Sequence, residues 1–311
     1  MLTTSKKILA AADKGGYAVG AFNVNNLEIL QSVMEAAVEA RSPVILQTSE
    51  GAVEYAGIDF LLAMMRTAAT GKVPVAMHLD HGKNLKLIKK AIDSGYTSVM
   101  FDGSTLPYKK NVADTKKVVA WARKKGVSVE AEIGAIKGIE DLVSVSEKEA
   151  FFTDPREAAR FAKATGCDAL AVSIGTAHGA RKFKGEQTLD IGRLATIDSL
   201  VKAPLVLHGA SGISPELVEK TRLYCDQLED CAHLEGSSGV PDDMIRAAVR
   251  NGIRKINIDS DLRIAFTAGL REAIVRDHRS IDPRKLLGPA KRLMKDVAMH
   301  KMQLFGCAGK A

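Results

Sequence analysis

The densest knot of reactive side chains in the sequence is His78-Leu79-Asp80-His81, a carboxylate between two imidazoles. An imidazole can hold a divalent metal and a carboxylate can move a proton, so both tools of metal-assisted carbonyl chemistry stand together. The stretch around them, Pro74-Val-Ala-Met-His-Leu-Asp-His-Gly82, is a short apolar run bounded by Pro and Gly, which predicts a buried strand. The same residues would also suit an ordinary strand end turning into solvent. The choice between the two rests on the rest of the chain.

Strand-like and helix-like segments alternate along the whole sequence. Strands are expected over 17–24, 43–48, 74–82, 98–101, 127–133, 169–174, 204–207 and 253–258. Helices are expected over 3–14, 28–40, 59–70, 86–94, 109–125, 155–165 and 191–201, and the chain from residue 261 onward reads as helical, with Asp282-Pro283 and Gly288-Pro289 as punctuation. Eight apolar strands alternating with helices predict a parallel sheet closed into a (β/α)8 TIM barrel. No GxGxxG follows the first strand, which weighs against a dinucleotide site. One barrel domain is expected over 1–311, with an inserted segment around 221–235 between the seventh and eighth strands and a helical C-terminal extension over 261–311. The mixed-charge stretch 134–153 reads as a long, mobile active-site loop.

In such a barrel the chemistry belongs at the C-terminal ends of the strands. There the sequence places, in order, Asn23 and Asn25, Ser49-Glu50-Gly51, Asp80-His81, Asp102-Gly-Ser104, Glu130 and Glu132, His178-Gly179, His208-Gly-Ala-Ser211-Gly212, and Asn257-Ile-Asp259-Ser260-Asp261. Three of these ends carry histidine (His81, His178 and His208) in a chain that has only seven, which points to a catalytic metal with an open position. His78 lies one layer lower, on the same face as Asp80, and is expected to support its neighbours from within. Gly209–Gly212 and Asn257–Ser260 offer backbone N–H groups and the Ser211 and Ser260 hydroxyls where barrels hold phosphate. A lysine able to form a Schiff base would have to stand at the same rim, but Lys255 is at the other end of its strand. The electrophile is therefore expected to be the metal, with carboxylates such as Asp80 and the Glu140-Asp141 pair moving protons.

Composition narrows the setting. With 311 residues, 46% hydrophobic and 26% charged, the chain reads as an ordinary globular protein. Cys167, Cys225, Cys231 and Cys307 form no CxxC pair, so reduced thiols in a cytoplasmic setting are expected. Neither a signal-peptide core nor an apolar run of membrane-spanning length is present, so no membrane partner is expected. The net charge of +7 is spread among acids along helix-like segments, and with 5% aromatic residues and no binding signature it predicts no nucleic-acid partner.

Taken together, Ala21-Phe-Asn-Val-Asn-Asn26, Leu79-Asp-His-Gly82, Glu132-Ile-Gly134, Gly175-Thr-Ala-His-Gly179, His208-Gly-Ala-Ser-Gly212 and Asn257-Ile-Asp-Ser-Asp-Leu262 resemble the class II, metal-dependent fructose-bisphosphate aldolases over essentially the whole chain. The resemblance implies a lyase of glycolysis and gluconeogenesis that reversibly cleaves fructose 1,6-bisphosphate to dihydroxyacetone phosphate and glyceraldehyde 3-phosphate. It implies that His81, His178 and His208 bind a catalytic zinc, and that Asp102 and Glu132 match positions for a second or displaced zinc. Asp80 would serve the C4 hydroxyl, and Glu140 the proton on the dihydroxyacetone phosphate carbon. Gly179, Gly209, Ala210, Ser211, Asn257, Ile258, Asp259 and Ser260 would bind that fragment, beside a monovalent cation (Na+ or K+), with Asn23 and Ser49 as further contacts. Arg284 resembles an arginine that reaches the other phosphate from a neighbouring subunit, which implies a homo-oligomer, a dimer or tetramer. Two departures stand out: Lys137 replaces the family's usual second loop glycine, and many relatives lack the inserted segment.

Three other readings make distinct demands. A tagatose-bisphosphate aldolase differs only in the configuration at C4 of its substrate. A barrel zinc hydrolase would need no phosphate loops. A basic nucleic-acid module would show steeply salt-dependent binding.

Overall fold

The computed structural model describes residues 1–134, 137–140, 143–145, 152–178, 188–212, 214–226 and 239–311, with the backbone alone at 137–140, 143–145, 177–178 and 225–226. Its strands are β1 (Val19–Asn23), β2 (Val44–Thr48), β3 (Val75–Gly82), β4 (Ser98–Phe101), β5 (Ser128–Ile133), β6 (Lys137–Glu140), β7 (Val143–Val145), β8 (Ala169–Val172), β9 (Ala177–His178), β10 (Leu205–Leu207) and β11 (Ile253–Ile258). Eight of them close, all parallel, in the order β1-β11-β10-β8-β5-β4-β3-β2. Each pair of neighbouring barrel strands that is adjacent in sequence is bridged by helix, the arrangement of a (β/α)8 barrel. All eight expected strands are present.

Nearly every residue of the barrel strands is buried, because helices cover the outside and side chains fill the inside. The helix Leu85–Ser94 shows how the sequence sets one unit. Asn84 caps its start by accepting from the N–H groups of Lys86 and Leu87, and Gly95 ends it at φ 103°. Its buried stripe of Ile88, Ala91 and Ile92 packs on the barrel, so truncating one of the isoleucines to Ala costs about 2–5 kcal/mol.

Both ends of the described chain bond to backbone at the N-terminal side of the barrel strands. The Met1 amino group donates to the Gly71 and Val73 carbonyls, and Ala18 N–H donates to the Phe305 carbonyl. No helix among the described residues is long and apolar enough to cross a membrane.

Three expectations are revised. Within the expected loop 134–153, β6 and β7 pair antiparallel, and β9 joins β6 in parallel, with Gly138 opposite His178. These strands are too short to show a periodic pattern. The segment around 221–235 is not wholly an insert: helix Pro215–Asp226 runs into it and helix Asp242–Arg250 comes after it, while 227–238 lie outside the described residues. Finally, Gly288-Pro289 does not interrupt helix Pro283–Leu304. Gly269, on helix Ser260–Arg276, lacks a Cβ that would lie 2.7 Å from the Pro289 carbonyl carbon, so the two helices close tightly at the proline.

Candidate active site

The site is built from the end of β3 outward. In the ladders Asn23 lies opposite Gln47 and Gln47 opposite His78, so three adjacent strands present polar side chains at one level. Asp80, fully buried, is the focus of their amides. Its Oδ2 accepts from Gln47 Nε2 at 3.0 Å and from Asn23 Nδ2 at 3.5 Å, and its Oδ1 accepts from Asn257 Nδ2 at 3.0 Å. Gln47 also donates to Asn23 Oδ1 at 2.6 Å. The carboxylate is thus held in one orientation from three strands.

Strict strand alternation would send His81 to the face opposite Asp80. The backbone breaks that rule: His81 has φ 46°, the left-handed region that non-glycine residues seldom occupy. The pairing with β4 shifts register between Leu79 and Gly82 at the same point. Gly82 makes this possible, since a Cβ there would lie 2.6 Å from the Met100 carbonyl oxygen. Asp80 and His81 consequently reach one site.

Across the barrel, His208 follows β10 and brings its Nδ1 within 2.8 Å of His81 Nε2, with the rings edge to face. Each ring is fixed from its other nitrogen. His81 Nδ1 meets Asp102 Oδ2 at 3.1 Å, and His208 Nε2 meets Glu130 Oε1 at 2.8 Å. The Asp102 carboxylate accepts further bonds from Ser104 N–H and Oγ. Glu130 is paired in turn with the fully buried Lys255, Nζ to Oε2 2.8 Å, which places that lysine directly beneath the histidines. His78 is buried as expected, with Nδ1 at 2.7 Å from Ser98 Oγ and Nε2 at 3.6 Å from Glu130.

The electrostatics follow from this arrangement. Burial, with the nearby Lys255 charge, lowers the His78 imidazole to about 3, so it is neutral and structural. Burial also opposes charge on His81, but the Asp80, Asp102 and Glu132 carboxylates outweigh it and hold the imidazole well above its ordinary value. Asp102 is the converse: burial opposes its charge, yet His81 and Ser104 hold it well below the usual carboxylate range. Burial and the Asp102 charge push the Glu132 carboxyl well above its normal value. Burial works against a charged Glu130, but the Lys255 ammonium and the His208 bond keep it low. Burial, then the neighbouring His81, lowers His208.

Ligand atoms of Asp80, His81 and His208 lie within 4.8 Å of one another, and so do those of His81, Asp102 and Glu132. Among the described residues Glu132 Oε2 is buried without a hydrogen bond, and it stands 3.8 Å from His208 Nδ1. Imidazole nitrogens backed by carboxylates, beside an unsatisfied carboxylate oxygen, fit a divalent metal.

Asn23, Asn257 and Ile258 are buried at the ends of β1 and β11, and Gly209 (φ 62°), Ala210 and Ser211 follow β10. Asp259 and Ser260 open helix Ser260–Arg276, where Arg263 donates to Asp259 Oδ1 at 2.9 Å. Ser49 proves to be a helix cap, its Oγ accepting from Ala52 N–H at 3.1 Å. A cavity of about 480 Å3 opens beside these ends, lined by Asn25, Asn26, Gly51, Tyr55, Arg263 and Phe266 among others.

For His178 and Glu140 only the backbone is described: both lie in the small β7-β6-β9 sheet, beyond the barrel strands, and their side chains, like Gly179, are outside the described residues. Arg284 is exposed and forks onto Asp282, and among the described residues it is not brought to the cluster. Sequence reasoning missed Gln47 and the roles of Glu130 and Lys255. For Gln47 the available signal was a long polar side chain within the buried run Val44–Thr48.

The comparisons agree on one family. Residues 3–310 match the family model described as "Fructose-bisphosphate aldolase class-II". The chain is 48% identical to the fructose-bisphosphate aldolase of Thermus caldophilus and 46% identical to that of Helicobacter pylori, with both chains covered in full in each case. It is 42% identical to the Giardia intestinalis fructose-bisphosphate aldolase, covering all of this chain and 94% of that one. In structure it is similar to the YdjI aldolase from Escherichia coli K12, with a TM-score of 0.79, 32% identity and full coverage of both chains.

Proposed function

Because this chain belongs to the class II fructose-bisphosphate aldolase family, we propose that the Asp80/His81/His208 cluster is the centre at which it cleaves fructose 1,6-bisphosphate. The enzyme is a carbon–carbon lyase acting on a phosphorylated sugar. The observation that supports this placement is the convergence of a buried, amide-held carboxylate with two facing imidazoles at the C-terminal rim.

In the cleavage direction Asp80 takes the C4 hydroxyl proton. The O–H electron pair becomes the C4 carbonyl of glyceraldehyde 3-phosphate as the C3–C4 bond breaks, and the C3–C4 pair passes into a C2–C3 enediolate. A proton delivered to C3, assigned to Glu140, completes dihydroxyacetone phosphate. The amides of Asn23, Gln47 and Asn257 hold Asp80 at the C4 oxygen throughout. His81 and His208, with His178 as the third imidazole, would hold zinc, and Asp102 and Glu132 would offer the second or displaced position. A divalent metal bound there supplies Lewis-acid polarisation of the C2 carbonyl.

Gly179, Gly209–Ser211 and Asn257–Ser260 are assigned to the dihydroxyacetone phosphate, with a sodium or potassium ion beside it. Asn23 is assigned as a substrate contact, and so is Ser49 alongside its cap. The second phosphate is assigned to Arg284 of another copy in a homo-oligomer, a reading supported by the exposure of its side chain at the surface.

Steady-state cleavage of fructose and tagatose 1,6-bisphosphates, with and without a chelator, tests this reading. The expected result is turnover of the fructose epimer that a chelator abolishes and zinc restores. Lysine trapping by borohydride in the presence of substrate, or preference for the tagatose epimer, would overturn it.

A further inference from the structure

Beneath the two phosphate-type loops lies a charged group with no part in the chemistry above. Lys301, in the last turn of helix Pro283–Leu304, is buried. Its ammonium donates to the Gly212 carbonyl at 2.9 Å and pairs with Asp261 Oδ1 at 3.1 Å. These acceptors belong to different loops: Gly212 closes the turn after β10, and Asp261 lies in the first turn of the helix after β11. The fit is close, since a Cβ on Gly212 would lie 3.0 Å from the ammonium nitrogen. Asp261 is equally buried, among the described residues its Oδ2 has no hydrogen-bond partner, and Lys301 is its ionic partner.

A long, flexible side chain is costly to immobilise and an ammonium costly to bury, so a merely space-filling role would favour an apolar residue here. We propose that Lys301 is a positioning residue for substrate phosphate: it ties the Gly209–Gly212 turn to the Ser260 helix start, so that the donors of both converge on one anion. This rests on the assignment of those two loops to dihydroxyacetone phosphate. Phosphate held by several neutral backbone donors is sensitive to their relative placement, and one ionic tie between the loops sets it. The C-terminal helix is thereby coupled to substrate affinity without touching substrate.

The test compares Lys301→Met, the double variant Asp261→Asn/Lys301→Met, and Ser211→Ala, measuring the dissociation constant for dihydroxyacetone phosphate by calorimetry alongside kcat, Tm and metal content. Lys301→Met is expected to weaken binding about tenfold and to lower Tm, because it strands the Asp261 charge. The double variant removes both charges and should recover most of the Tm while binding stays about tenfold weak, with kcat and metal content near wild type. Recovery of binding together with Tm would mean a purely structural pair and would overturn the proposal. So would wild-type binding in both lysine variants while Ser211→Ala binds weakly, a result that leaves the loop assignment standing. Unchanged binding in Ser211→Ala would remove the loop assignment itself, and the Lys301 role with it.

Discussion

The rim of the barrel holds its groups by two opposite means. Around the ends of β3, β4, β5 and β10, side chains hold side chains: Asp102 on His81, Glu130 on His208, Lys255 on Glu130 and three amides on Asp80. In the turn after β10 and the helix start after β11, assigned above to substrate phosphate, the backbone is expected to do the presenting, with the buried Ser211 and Ser260 beside it. Charges facing charges in a buried place are interdependent, so removing one leaves its neighbour uncompensated. Neutral donors share an anion among several bonds, and losing one forfeits only a part. Substitutions in the first region should therefore cost far more than in the second.

The strongest contrast should come from Asp80→Asn. The amide keeps the size of the side chain but cannot accept the C4 proton, so kcat should fall by roughly 10^2 to 10^4 with bound metal retained. Stopped assays with metal analysis on the same sample decide it. Loss of metal in parallel with activity would recast Asp80 as a ligand, which its place in the Asp80/His81/His208 group makes geometrically feasible.

Glu130→Gln and Lys255→Met address the layer below. Both disturb the bond that fixes His208 so that Nδ1 faces His81. Carboxylates behind metal-bound histidines are typically worth about 10- to 100-fold in metal affinity, and a loss of that size is expected in chelator competition for each variant. If either binds metal as tightly as wild type, the His208–Glu130–Lys255 chain serves packing alone.

How much of this was legible depends on which physical rule each residue obeys. The eight barrel strands and their polar ends follow from apolar runs and strand punctuation, and the rim places of His81 and His208 from a parallel barrel's fixed direction. The pairing of Asp80 with His81 in one site needed something alternation denies, the left-handed backbone at His81 with a cramped Gly82 behind it. Lys255 was rightly placed below the rim, but its partner Glu130 is distant in sequence and meets it only when the barrel closes. Gln47 carries no motif at all; its role appears from register against Asn23 and His78. The β6-β7-β9 sheet was invisible because strands of two to four residues have no periodicity to read. Gly288-Pro289 misled because a breaker signal was read locally, whereas Gly269 on the facing helix makes room for it.

Arg284→Ala should give the mildest of these effects and probes a place beyond both regions. Its guanidinium is exposed and, among the described residues, paired only with Asp282 at the helix start, and such surface pairs contribute little to stability. Thermal unfolding should accordingly be unchanged. If Arg284 of a second copy grips the phosphate remote from the cleaved bond, the KM for fructose 1,6-bisphosphate should rise about tenfold, the scale of one charge-assisted contact. Fructose 1-phosphate lacks that phosphate, so its cleavage should not distinguish the variant from wild type. Equal losses on both substrates would place Arg284 outside substrate recognition, and the second phosphate would then have to be held by groups already on this rim, where Arg263 lines the open cavity.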